Sequence, residues 1–205
     1  PYADIELETT YDYNPDKANQ LLDEAGWVMN ESTGIREKDG EPLNLLLTLE
    51  ADHNAVSMPT AEVIKSQLAE VGIDVTIYGT EQMQWYADYL EGKFDLTLWH
   101  CQFAFASPHC WFTPMDSMVP QTPSLPGIEG SDEFLATIKD LTNMVDEQEV
   151  RDTYTYLFNF DVGTVLDIPL TYQKDMIVYN TDKISGYTFT GTPYFFDILS
   201  LKPAE

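Results

Sequence analysis

Two short doublets carry the metal-ligand chemistry in this chain: His100-Cys101 and, after a gap, His109-Cys110. Imidazole and thiolate are the usual ligands of zinc, nickel and copper. The doublets can fold toward one another across the intervening loop, and Met115, Met118 and Asp116 stand close by as further soft and hard donors. The spacing matches no established zinc motif. His100 and His109 are therefore candidate metal ligands, a Cys101–Cys110 disulfide competes with that reading in an exported protein, and ordinary structural roles for all four residues stay open. Catalytic signatures are missing: the chain contains no G-x-S-x-G, H-E-x-x-H, P-loop or G-x-G-x-x-G. Carboxylates are so abundant that no pair of them singles itself out as an acid and base. The expectation is binding rather than catalysis.

The surrounding residues qualify what would be bound. Trp99, Phe103, Phe105, Trp111 and Phe112 are dense enough to floor a cleft for peptide side chains or a flat chelate, or else to pack as core. No Lys or Arg occurs between Phe94 and Gly130, so this stretch cannot neutralise a ligand carboxylate; a cationic or neutral ligand suits it better. Over the whole chain of 205 residues, 10 Lys plus Arg face 35 Asp plus Glu, a net charge of −25. That balance argues against nucleic acid and anionic membranes as partners and favours solubility. No apolar run reaches the roughly 18 residues of a membrane span. Pro1-Tyr2-Ala3 has neither the basic nor the apolar region of a signal peptide, and a start without Met suggests a processed or excised piece.

Local patterns supply the elements that would position these groups. Asn14-Pro15-Asp16 is a helix start, followed by Ala18, Leu21, Leu22 and Ala25 at helical spacing and a stop at Gly26. Residues 31–40 are polar with two glycines and predict a hairpin or turn. Leu43 to Leu49 reads as a buried strand. Pro59 opens a second helix that uses Ala61, Ile64, Leu68 and Val71; Ile73 to Tyr78 is a strand; Thr80 caps a helix to Leu90; Phe94 to Trp99 is a strand. Strand, helix, strand, helix, strand predicts an α/β unit with a mixed, mostly parallel sheet flanked by helices. In such sheets ligands sit beyond the carboxyl ends of the strands. The segments leaving those ends hold all three histidines, so His53, Asn54, His100, Phe103, Phe105, His109 and Trp111 are the candidate ligand-binding residues. Gln102 to Gly130, with five prolines, is a long functional loop in this reading. Ser131 caps a further helix, another begins at Glu147 or Gln148 with Val150, Tyr154, Leu157 and Phe158 inward, and Ile168–Tyr172 and Met176–Tyr179 are expected strands.

Several phrases in fixed order add a resemblance. Tyr11-Asp12-Tyr13-Asn14-Pro15-Asp16-Lys17-Ala18 runs to Ala25-Gly26-Trp27. It is followed by Val71-Gly72-Ile73-Asp74-Val75, Phe94-Asp95-Leu96-Thr97-Leu98-Trp99 and Ile168-Pro169-Leu170-Thr171-Tyr172. Together they resemble the C-terminal half of the family 5 extracellular solute-binding proteins, the peptide and nickel receptors of ABC importers. The resemblance implies a periplasmic-binding-protein-like lobe of type II. Residues 1–171 would form the C-terminal lobe, and residues 172–205 a tail returning to an N-terminal lobe. Its implied partners are that lobe, an ABC transporter permease, and an oligopeptide or nickel chelate as transported ligand; the implied location is periplasmic, or the cell surface as a lipoprotein. The nickel-binding branch is the most similar, through Pro108-His109, Ser117-Met118-Val119-Pro120 and Leu201-Lys202-Pro203. Where that branch covers its metal complex with Trp and Tyr this chain has Gln102 and Ala106, and where the branch has a metal-contacting His it has Gln121 or Thr122. A peptide or another chelate therefore stays open beside nickel. The rival readings are an acidic, non-catalytic interaction domain on the same fold and, after it, a metal-dependent enzyme.

Overall fold

The computed structural model describes residues 2–52, 55–99, 108–116, 123–171, 176–189 and 197–204. In chain order these form α1 (Pro15–Glu24), β1 (Val28–Met29), β2 (Arg36–Lys38), β3 (Glu41–Pro42), β4 (Asn44–Glu50), α2 (Ser57–Ala69), β5 (Asp74–Thr80), α3 (Gln82–Leu90), β6 (Leu96–Leu98), α4 (His109–Phe112), α5 (Ser131–Leu141), α6 (Glu147–Gly163), β7 (Ile184–Gly186) and β8 (Lys202–Pro203).

The expected α/β unit is present. β4 is the central strand, paired in parallel with β5 from Asn44↔Asp74 to Glu50↔Thr80 and with β6 from Leu47↔Leu96 to Leu49↔Leu98. Strand alternation sorts its side chains. Leu47 and Leu49 turn to the face where Val75, Leu96, Leu98 and the Ala61, Ile64 and Leu68 stripe of α2 close one core. Thr48 turns to the face covered by α3, where the Trp85 indole N–H donates to Thr97 Oγ1 at 3.1 Å and the Thr48 hydroxyl lies 3.0 Å from the same oxygen. The buried hydroxyls are thus satisfied by one another and by the tryptophan that docks the helix.

A second core is helical. Phe112, Phe134, Ile138, Leu141, Tyr154 and Leu157 gather where α4, α5 and α6 meet, with Met115 and Leu125 from the short 3-10 turns that follow α4. The N-terminal segment runs along α6: Tyr2 packs on Tyr154 with ring centroids 4.7 Å apart, and Glu8 N donates to Asn159 Oδ1 at 2.7 Å.

Local chemistry explains most boundaries. Asn14 caps α1, accepting from Lys17 N at 2.9 Å, with Pro15 at the first helical position. Asp146 caps α6 the same way, accepting from Glu149 N at 2.9 Å. Three expectations shift. Pro59 is the third residue of α2 rather than its first, and Thr80 ends β5, so that Glu81 precedes α3 without a side-chain cap. Ser131 is the first helical residue of α5. The cap is Gly130, at φ 87°, a left-handed conformation glycine enters without strain. Residues 168–171 and 176–180 carry no strand pairing, and Tyr172 lies outside the described residues. A strand needs a neighbouring ladder for its backbone groups, and none of the described strands runs beside these two stretches.

α1 has no fully buried residue, so packing alone does not hold it. Arg36, 3% exposed, does. Its guanidinium donates to Val71 O at 2.8 Å, Trp27 O at 2.6 Å and Asn19 Oδ1 at 2.7 Å, and pairs with Asp23. One side chain thus ties α1 and the β1–β3 hairpin to the end of α2. Arg36→Met is expected to cost about 2–4 kcal/mol, because buried carbonyls lose their donors. Asp23→Asn should cost far less, since that carboxylate is 66% exposed. Urea unfolding of both variants checks this, and equal losses would assign the role to the ion pair instead.

Candidate functional site

Parallel pairing sends the carboxyl ends of β4, β5 and β6 to one side of the sheet. What the structure describes there is a buried polar corner beside an aromatic wall. Glu50, the last residue of β4, is 3% exposed and stands opposite Thr80, the last residue of β5, whose buried hydroxyl has no hydrogen-bond partner among the described residues. Ala51 N donates to Thr80 O at 2.8 Å and holds the two strand ends together. Gly79 sits so close to Met58 and Ala51 that an added Cβ would come within 3.0 and 3.2 Å of their side chains. Leaving β6, Trp99 stays 40% exposed while resting on Trp85 and Tyr89 at ring-centroid distances of 5.0 and 5.1 Å. Tyr89 in turn stacks on Phe94 at 5.5 Å. This aromatic platform, held by α3, flanks the strand ends.

The residues singled out by sequence divide into two groups. His53, Asn54, His100, Cys101, Phe103 and Phe105 lie outside the described residues. His109, Cys110 and Trp111 share the single turn of α4, which points each a different way. The Cys110 thiol is free and exposed, His109 is half-buried with its carbonyl accepting from the Thr113 hydroxyl at 2.6 Å, and Trp111 is half-buried against the helical core. Among the described residues no three His, Cys, Asp or Glu side chains come together as a metal site. Phe112, a candidate for a cleft floor, is instead a core residue at 0% exposure, edge-on to Phe134 at 6.0 Å and tilted on Phe158 at 5.3 Å. Consecutive residues of a helix point about 100° apart, so Trp111 and Phe112 face different surroundings, and burial assigns Phe112 to the core.

Sequence reasoning missed two carboxylates. Glu50 escaped because a charged strand end reads as exposed. Asp161 is 6% exposed, and the Trp111 indole N–H donates to its Oδ2 at 3.4 Å. Its signal was present: with Tyr154, Leu157 and Phe158 inward, helical spacing brings position 161 to the same face. Burial, and then the charge of nearby Asp167, push the Asp161 carboxyl up to about 7, against the opposing pull of the Trp111 hydrogen bond. Burial raises Asp167 as well.

The comparisons bear on this geometry. The family described as bacterial extracellular solute-binding proteins, family 5 Middle, matches residues 1–122. The nickel-binding periplasmic protein of Escherichia coli is 28% identical over 181 residues, which cover 87% of this chain and 34% of that protein. The oligopeptide-binding protein OppA of Lactococcus lactis subsp. cremoris is 43% identical over 70 residues, 34% of this chain and 11% of that protein. Among solved structures, NikA from Brucella suis in complex with Fe(III)-EDTA matches with a TM-score of 0.87 at 28% identity, covering 99% of this chain and 40% of the other. The fold is thus that of a type II periplasmic-binding-protein lobe, as expected from the sequence. This chain spans about a third of the length of the Escherichia coli relative and less of OppA.

The assignment of Phe112 to the core is directly testable. Phe112→Ala should destabilise the chain by about 3–5 kcal/mol through cavity formation, whereas Cys110→Ser, at an exposed site, should stay within about 0.5 kcal/mol. Urea unfolding distinguishes them; a Phe112→Ala chain of unchanged stability would return that ring to the cleft-floor reading.

Proposed function

Since this chain belongs to the bacterial extracellular solute-binding proteins, family 5, we propose that it is the C-terminal lobe of a two-lobed receptor that hands a solute to an ABC importer. The observation that supports this most is the agreement of 99% of the chain with the Fe(III)-EDTA complex of Brucella suis NikA at a TM-score of 0.87. The mechanism is binding without catalysis. A solute enters between the lobes, closure excludes water, and the permease of the transporter reads the closed form. The receptor works outside the cytoplasm, in the periplasm or tethered to the cell surface.

In this reading residues 1–171 form the lobe and residues 172–205 return to the N-terminal lobe. Apolar side chains around that boundary support it: Ile168, Leu170, Met176 and Val178 are 60%, 53%, 90% and 97% exposed. Such a run belongs against a partner surface. The ligand meets His53, Asn54, His100, Phe103, Phe105, His109 and Trp111. It is an oligopeptide or a metal chelate, nickel among the metals, since aromatic faces accept either; because Phe94 to Gly130 supplies no Lys or Arg, a ligand carboxylate would be balanced from the other lobe. His100 and His109 are the imidazoles available to a bound metal. Cys101 and Cys110 are the pair available for a disulfide in an oxidising compartment.

Native mass spectrometry and metal analysis of the two-lobed receptor, purified without chelators, test the proposal. A co-purified peptide mixture without metal would establish a peptide receptor. Stoichiometric nickel, lost in His109→Ala, would establish a metal-chelate receptor. A receptor that emerges empty and takes up neither peptides nor nickel chelates would overturn the reading.

A further inference from the structure

Asp161 is a carboxyl group in a place that does not suit a charge. It is 6% exposed, and among the described residues no donor reaches its Oδ1. Its Oδ2 accepts from the Trp111 indole at 3.4 Å. The group facing it from the segment after α6 is another carboxyl, Asp167, itself partly buried. From α4 the facing group is the uncharged Trp111 indole. Among the described residues no Lys or Arg is recorded acting on either acid. Two adjacent carboxylates without a cation repel one another in a low-dielectric setting, and the usual remedy is one shared proton. With a proton, Asp161 becomes a donor to Asp167 and keeps its other oxygen for the indole. Without it, two acceptors face each other and the indole is held by a charge that burial disfavours.

We propose that Asp161 and Asp167 form a proton-sharing acid pair that positions Trp111, so that the setting of the α4 turn against α6 depends on pH. The pair is a positioning device; it does not touch ligand. Its bearing on solute binding rests on the receptor reading given above, because Trp111 is a candidate ligand residue there, but the acid pair itself does not require that reading.

The direction of the effect follows from linkage. Asp161 is raised to about 7 in the folded chain, above the ordinary carboxylate range of about 4 in the unfolded chain. The folded state therefore binds the extra proton more tightly. The stabilisation is full below that ordinary range and is lost as pH rises toward about 7.

The test needs no ligand, so its failure and failure of the receptor reading are separable. The indole N–H resonances of the 205-residue chain are followed from about pH 4 to pH 8, and Trp111→Phe assigns the relevant one among the four Trp. We expect the Trp111 resonance to shift through a transition near neutral pH and the urea midpoint to fall over the same range. Asp161→Asn keeps the shape and supplies a permanent donor toward Asp167, so both readouts should become flat, with the variant as stable as the parent in acid and more stable at about pH 8. Asp167→Asn is the second variant and should move the transition to lower pH without removing it, because burial alone still raises the Asp161 carboxyl. His109 is an imidazole at the start of the same turn, so His109→Asn is the control and should leave the transition in place. A transition that vanishes with His109→Asn, one that survives Asp161→Asn or is unmoved by Asp167→Asn, or no transition in the parent would each overturn the proposal.

Discussion

The structure depends on one constraint, the double parallel pairing of β4. A strand flanked on both edges by parallel neighbours has every backbone group committed, and each neighbour must be reached by a crossover. Here the crossovers are α2 and α3, and the alternation of β4 assigns one face to each. Leu47 and Leu49 give α2 an apolar seat, whereas Thr48 and Thr97 give α3 a polar one through Trp85. The same pairing sends all three strand ends in one direction. The buried Glu50 and Thr80 corner and the Trp99 platform stand together for that reason, although they are far apart in the chain.

Around this sheet, two devices attach the parts that have no core of their own. Arg36 holds α1 and the first hairpin by donating to main-chain carbonyls and side chains from separate elements. The same crowding shapes Gly72, at φ 81°, where an added Cβ would come within 2.6 Å of Met29 and 2.9 Å of Arg36. The helical core does the corresponding work for α4: Phe112 anchors the turn by burial, and Trp111 reaches Asp161 by a hydrogen bond. The described residues 108–116 of the loop predicted to carry ligand contacts are therefore tied to the second core.

The proposed two-lobed plan makes sense of the composition. In that proposal, a lobe with net charge −25 and no Lys or Arg along Phe94 to Gly130 is poorly suited to close around an anionic group unaided, and that part of recognition falls to the opposing lobe. In the same proposal, the exposed Ile168, Leu170, Met176 and Val178 lie where such a lobe would be joined.

Much of this was legible in the residues. Asn14-Pro15 started α1 and Gly26 ended it, the Leu-rich run became β4, and the alternation of Ile73 to Tyr78 became β5, because capping, steric and periodicity rules act over a few residues. The ordered phrases were enough for the family, and so for the fold. Chain proximity was not enough for the site. It suggested that Trp111 and Phe112 act together, yet one is half-buried beside an acid and the other is fully buried core. The expected strand at 168–171 has no ladder, since pairing is a property of neighbours rather than of propensity. Asp161 lay on an inward helical position, but only packing could bring Asp167 and Trp111 to it. Local sequence thus determined the elements and their order; tertiary structure decided which polar groups are buried and what they face, because desolvation and charge coupling depend on distance in space and not along the chain.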